Sequence, residues 1–195
     1  MAFTKTILAL LIVSISILFA PTTHAHATRT GAPPTIQTRL LNMCKPTTNP
    51  SLCYKTILPK ALESPKFNMY KALEIEVQAA QVQVIKTATT IATLLWKSGS
   101  DKNIAGALND CKEQFKNIAD SVTKSVTLVS QRNIVDARNE FSAVFSYFSA
   151  CRESFEESQI TLPIAADGQM VHDLAGNCLD LMKAIEDKGS KGRSA

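Results

Sequence analysis

Five cysteines, three histidines and seventeen carboxylates are the side chains of this 195-residue sequence that could do chemistry. Histidine falls away first. His24 and His26 lie in an N-terminal segment built like a removable leader, which leaves His172 alone. One histidine cannot build a two-histidine zinc site, so His172 reads as an ordinary surface or capping residue of a helix. Among the carboxylates, Glu74 and Glu76, or Glu153, Glu156 and Glu157, are the groups one could nominate for acid–base work. Adjacent Glu156 and Glu157 point about 100° apart on a helix and do not converge. These glutamates read as solvated helix faces. There is no G-x-S-x-G elbow, no glycine-rich phosphate loop and no Glu-x-x-His pair. The reading is therefore of a protein that is not an enzyme, with no catalytic residue, no metal site and no cofactor.

The cysteines are left: Cys44, Cys53, Cys111, Cys151 and Cys178. Their spacing alone does not choose a pairing. Helix geometry does. Cys111 and Cys151 lie on the apolar seams of consecutive helical runs, each twenty residues from Gln131 in the turn between them. In an antiparallel hairpin, residues equidistant from the turn sit at one height. Their Cα atoms then approach the ~5.5 Å a disulfide needs. Cys44 and Cys53 flank the Pro46–Pro50 turn in the same way. The expectation is Cys44–Cys53 and Cys111–Cys151, with Cys178 a free, buried thiol on an inner stripe between Leu174 and Leu181.

Those cysteines must be positioned by something, and the chain offers helices. From Asn68 to Lys97 apolar residues recur at Met69, Leu73, Val77, Ala80, Val84, Ala88, Ile91 and Leu95, in steps of four and three. Ser98-Gly99-Ser100 ends that run and Asp101 can cap the next, which carries Ile104, Leu108, Cys111, Phe115, Ile118, Val122, Val126 and Val129. After a turn at Gln131-Arg132-Asn133 a third run holds Ile134, Ala137, Phe141, Val144, Phe148, Cys151 and Phe155. Pro163 and Gly168 break the chain before a last run through Val171, Leu174, Cys178, Leu181 and Ile185. No period-2 segment competes. The predicted fold is all-α, an antiparallel four-helix bundle over residues 68–187. Two short helical pieces over residues 36–64 form an N-terminal hairpin, and a basic disordered tail occupies 188–195.

Ahead of the domain, Lys5 precedes an apolar stretch from Ile7 to Ala20, and Ala25-His26-Ala27 offers a small-residue exit. This is a secretory signal peptide over residues 1–27, followed by a flexible lead-in over 28–35. The Ile7–Ala20 stretch of fourteen residues, apolar but for Ser14 and Ser16, spans about 21 Å at 1.5 Å each, short of the ~30 Å core of a bilayer. The mature chain should be exported, without a membrane anchor, into an oxidising compartment that favours disulfides. A net charge of +4 without basic clusters or stacking aromatics argues against a nucleic-acid partner.

The hairpin Cys44-Lys45-Pro46-Thr47-Thr48-Asn49-Pro50-Ser51-Leu52-Cys53, the helical Ala107-Leu108-Asn109-Asp110-Cys111 and a fourth cysteine at Cys151-Arg152-Glu153-Ser154-Phe155 together resemble the plant invertase and pectin methylesterase inhibitor family. The likeness runs across essentially the whole mature chain. It implies a secreted four-helix bundle with an N-terminal helical hairpin and the same two disulfides; the protein is expected to be a monomer in the cell wall (apoplast) rather than the vacuole. Its implied activity is to block an enzyme's substrate cleft in a one-to-one complex. Pectin methylesterase is the expected target on the strength of the Asn49–Cys53 hairpin and the fifth cysteine. The alternatives are a cell-wall or vacuolar invertase, and a non-inhibitory secreted binding domain. Because the bundle stripes consume apolar residues, the partner surface should be polar and charged. The candidate contact residues are Gln131, Arg132, Asn133 and Asp136 in the mid-chain turn. Pro65-Lys66-Phe67 spells a tripeptide that resembles a contact loop of some invertase inhibitors, but it precedes the first long helix and its role is not carried over. Phe145–Ala150 is bulkier and more aromatic than the family's small-residue run.

Overall fold

Caps and breakers set the element boundaries. In the computed structural model, which describes residues 35–191, the helices are α1 (Ile36–Cys44), α2 (Pro50–Leu62), α3 (Met69–Lys97), α4 (Lys102–Ser130), α5 (Ile134–Glu157) and α6 (Ala165–Lys191). The expected leader and the lead-in up to residue 34 lie outside the described residues, as do tail residues 192–195. Thr35, Asn49, Asn68, Asp101 and Asn133 each stand at an N-cap with a side-chain oxygen accepting from a backbone N–H of the first turn. Such a bond contributes about 1 kcal/mol against alanine. Pro50 follows its cap at the first helical position, where its missing N–H costs nothing.

Helices α3, α4, α5 and α6 form a closed ring in which each packs on two neighbours, α3 against α4 and α6, and α5 against α4 and α6. The α1–α2 hairpin attaches through α2, which touches both α3 and α6. Phe115, Phe141 and Phe155 are among the largest fully buried side chains, and Phe115 meets Phe148 edge-on with ring centroids 6.4 Å apart. Two disulfides are present. Cys44–Cys53 closes the hairpin with Cα atoms 5.7 Å apart, and Cys111–Cys151 joins α4 to α5 with Cα atoms 4.3 Å apart. The registry counted from Gln131 places both cysteines of the second bridge at one height.

Two expectations about where helices end change. Gly168 does not break the chain: it lies inside α6, and a Cβ built there would come 2.3 Å from the ring of Phe148. The glycine is there so that an aromatic ring can pack against the backbone of α6. The helix also continues past Lys188 through Lys191 rather than giving way to a tail at 188. Each added residue fixes one more backbone bond, and a cation such as Lys188 suits a helix C-terminus.

Gly176 makes a second close approach, this time to the hairpin. A Cβ at this position would fall 2.5 Å from Thr48 Oγ1 and 2.7 Å from its Cβ. We expect Gly176→Val to push the hairpin turn off α6 and to cost about 1–3 kcal/mol, the usual penalty of overpacking. Gly106 has open space within 4 Å, so Gly106→Ala in the interior of α4 should stabilise by up to about 1 kcal/mol. Thermal unfolding of the two variants checks both signs.

Candidate functional site

Two parts of the surface are built with more polar machinery than packing alone requires. The first is the seat of the hairpin. Asp173, Asn177 and Asp180 follow one another on α6 in steps of four and three, which places them along one helical face. The hairpin turn lies on them. Thr48 donates from both its backbone N–H (2.7 Å) and its hydroxyl (2.8 Å) to Asp180 Oδ2. Asn49 donates its backbone N–H to Asn177 Oδ1 (2.7 Å) and its side-chain amide to Asp173 Oδ2 (2.8 Å). Asn177 then donates from Nδ2 to Glu76 Oε1 on α3 (2.8 Å), so one buried amide joins hairpin, α6 and α3.

Glu76 is 0% exposed and its Oε2 has no hydrogen-bond partner. Burial lifts its pKa from 4.5 to about 7, with the Asn177 bond pulling the other way. The sequence reading placed Glu76 on a solvated face; the structure puts it in the core. The signal was present, since Glu76 stands three residues after Leu73 and four before Ala80, on the apolar stripe itself. Next along α6, the free thiol of Cys178 is buried, and its pKa is pushed well up, first by desolvation and then by the charge of Glu76. A thiol held neutral in this way is a poor nucleophile.

The second part is the α4–α5 turn, which holds Gln131, Arg132 and Asn133, with the fourth expected contact residue, Asp136, in the first turn of α5. Gln131 is the C-cap of α4, and Arg132 follows with φ at 63°, a left-handed conformation rare outside glycine. Arg132 N–H donates to the carbonyl of Val129 and Asn133 N–H to that of Leu128, the paired bonds of a Schellman ending. The Arg132 guanidinium lies over the Tyr70 ring, 4.0 Å from its centroid, which ties the turn to the start of α3. Asn133 caps α5 and donates from Nδ2 to Asp136 Oδ2 (2.7 Å). Gln131, Arg132, Asn133 and Asp136 are all exposed, with Asn133 and Asp136 already engaged with each other. Beside the turn, a cavity of about 240 Å³ opens between α3 and α4, lined by Glu74, Val77, Gln78, Val126, Val129 and Ser130.

A family model for plant invertase/pectin methylesterase inhibitors matches residues 39–181. The chain belongs to that family. Among solved structures, the inhibitor bundle is similar to a pectin methylesterase inhibitor from Arabidopsis thaliana, at 14% identity and TM-score 0.57, covering 74% of this chain and 94% of that one. A mutant form of a pectin methylesterase inhibitor from Arabidopsis gives 15% identity and TM-score 0.62, with 74% and 95% covered. No curated protein matches the chain in sequence.

The aromatic run that departs from the inhibitor family's small-residue pattern is structural. Phe148 is buried against Phe115 and above Gly168, while Phe145 meets the ring of His172 edge-on at 4.7 Å. His172 is thus not a plain surface residue: its Nδ1 is buried without a hydrogen-bond partner, 3.7 Å from Asp173. Phe67 of the Pro65-Lys66-Phe67 tripeptide is also buried, and its carbonyl accepts from Arg39 Nη2 (3.0 Å). The packing stripes do not consume every apolar side chain. Val82 (67% exposed), Ile85 (58%) and Trp96 (84%) stand on the outside of α3. Near them, Thr89, Thr90 and Thr93 turn their hydroxyls back to carbonyls four residues earlier. These residues are exposed because the apolar side chains of α3 exceed what one helical face can bury.

Glu153, Glu156 and Glu157 are exposed, with Glu156 paired to Arg152. Asp167 opens α6 with its pKa lowered, chiefly by the hydrogen bond from Lys86 and with help from Gln83. Among the described residues, no group of three or more His, Cys, Asp or Glu is placed to hold a metal ion. None of their helices is long and apolar enough to cross a membrane.

Proposed function

We propose that this protein is a secreted, non-catalytic inhibitor of pectin methylesterase that covers the enzyme's substrate cleft in a one-to-one complex. The observation that carries this reading is the family match over residues 39–181, joined to a bundle similar to two solved structures of pectin methylesterase inhibitor, one of them a mutant form, over nearly their whole length. The mechanism is steric exclusion. A bundle with α4 and α5 joined by a disulfide, and its hairpin closed by another, loses little conformational freedom on docking, so more of the contact energy appears as affinity. The leader over residues 1–27 supports export to the cell wall.

The α4–α5 turn is the proposed contact. Arg132 is its exposed cation, held in a fixed pose by Tyr70 and by the Schellman bonds. Asn133 and Asp136 shape the turn, and Gln131 presents its amide at the edge. Arg132→Gly separates fold from contact. Glycine relieves about 1 kcal/mol of left-handed strain, while loss of an exposed cation–π pair costs about 0.5–1 kcal/mol. Stability should therefore stay within about 1 kcal/mol of the parent. Affinity for the enzyme should fall at least about tenfold, equivalent to 1.4 kcal/mol. Unfolding curves and inhibition titrations measure the two; undiminished inhibition would remove Arg132 from the contact.

Titration of the oxidised protein against pectin methylesterase and invertase tests the function. Pectin methylesterase activity should fall to near zero at one equivalent, with the complex eluting as a single species of summed mass and invertase untouched. The opposite pattern transfers the target to invertase. No complex with either enzyme between pH 4 and 7 would leave a non-inhibitory binding domain.

A further inference from the structure

We propose that Glu76 works as a proton-operated latch, its buried carboxyl fastening the N-terminal hairpin to the bundle when protonated and loosening it when ionised. The geometry is a relay of two hydrogen bonds. Asn49 in the hairpin turn gives its backbone N–H to Asn177 Oδ1, and Asn177 gives Nδ2 to Glu76 Oε1. Both ends of the Asn177 amide are used, so its orientation is set jointly by the hairpin and by Glu76. The carboxyl at the far end is fully buried and holds one hydrogen bond, with Oε2 unpartnered. A neutral acid tolerates this, whereas an ionised carboxylate so poorly solvated does not. Opening the hairpin seat lets water reach the charge.

The surrounding charges do not offset it. From α6 come Asp173 and Asp180, both accepting from the hairpin turn, and the neutral thiol of Cys178. His172 lies on the same helix, against Asp173. On α3 itself, Lys71 is paired with Glu74. Lys45 in the turn and Lys55 and Lys60 on α2 are exposed, as are Asp120 and Lys124 on α4 and Lys183 on α6, and Arg39 on α1 is bonded to the carbonyl of Phe67. Glu76 bonds to none of them; among the described residues its hydrogen-bond partner is Asn177.

The sign follows from a carboxyl whose pKa rises from 4.5 to about 7 on burial. The docked hairpin is most stable below about 4.5, loses stability as pH climbs to about 7, and changes little above that. Hydrogen exchange of the α1 and α2 amides in the full oxidised chain tests this, after correction for the intrinsic pH dependence of exchange. Between pH 5 and pH 8 the protection of these amides should drop about 10- to 100-fold relative to amides of α4 and α5. Glu76→Gln, which keeps the acceptor and cannot ionise, should hold its pH 5 protection at pH 8. His172→Gln should leave the drop in place. A flat wild-type profile overturns the latch and needs no variant to do so. A drop that survives in Glu76→Gln, or disappears in His172→Gln, assigns the pH response to another group and overturns it equally.

Discussion

Replacing both cysteines of the longer bridge, as C111A/C151A, lowers the stability of the domain by about 4 kcal/mol and its melting temperature by about 8–16 °C. The figure follows from the loop that the bond closes. With 40 residues of separation, the chain-entropy relation gives about 4 kcal/mol of lost denatured-state freedom. For a domain of this size each kcal/mol moves the midpoint by about 2–4 °C. That is a large part of the ~5–15 kcal/mol that holds an ordinary domain together. The shorter bridge, with a separation of 9, gives about 2.5 kcal/mol by the same relation. The effect of C44A/C53A should centre on the hairpin, because that bond touches α1 and α2 alone. Guanidinium unfolding followed by circular dichroism separates the two variants. If C111A/C151A loses less than about 1 kcal/mol, packing alone keeps α4 on α5 and the staple is redundant.

Asn177→Ala comes next in size, at about 3 kcal/mol. The substitution deletes no apolar packing of note, yet it leaves the Asn49 N–H without its acceptor and Glu76 without its donor. Each buried group so orphaned costs about 1–3 kcal/mol. The loss should appear first as exchange of hairpin amides and then in the global unfolding midpoint. Asn177→Asp sharpens the test. It keeps an acceptor for Asn49 but sets a second carboxyl against Glu76, and two like charges in one buried site cannot both ionise. Its stability should stay near that of the parent at pH 4.5 and fall well below it at pH 8. Urea unfolding at the two pH values reads the difference. A uniform loss at both would mean that the amide matters for shape and not for charge.

The architecture was legible because it rests on short-range rules. Steps of three and four drew the four bundle helices, and Asp101 announced the start of α4. Counting twenty residues either side of Gln131 found the Cys111–Cys151 bridge, since two antiparallel helices joined by a tight turn have their register set by the turn. Of the four candidate contact residues, Gln131, Arg132 and Asn133 lie in the exposed α4–α5 turn and Asp136 in the first turn of α5. What that turn looks like was hidden: nothing in Arg132 as a letter says that it adopts a left-handed φ under a Schellman ending, or that Tyr70 lies beneath it.

Periodicity by itself decided which face of each bundle helix turns inward and which cysteines share a level. Only the tertiary structure decided what each inward face meets. Thr48 bonds Asp180 across 132 positions of sequence, Gly168 and Gly176 are small because a ring and a threonine lie against them, and Trp96 stays in solvent although its helix is rich in apolar residues. Glu76 shows the reason most clearly. A carboxyl on an apolar stripe is either a surface group at the stripe's edge or a buried one with a partner, and the partner comes from another helix. A single-sequence pattern carries the angle of a side chain about its own axis; it does not carry the identity of the neighbour that fills the space in front of it.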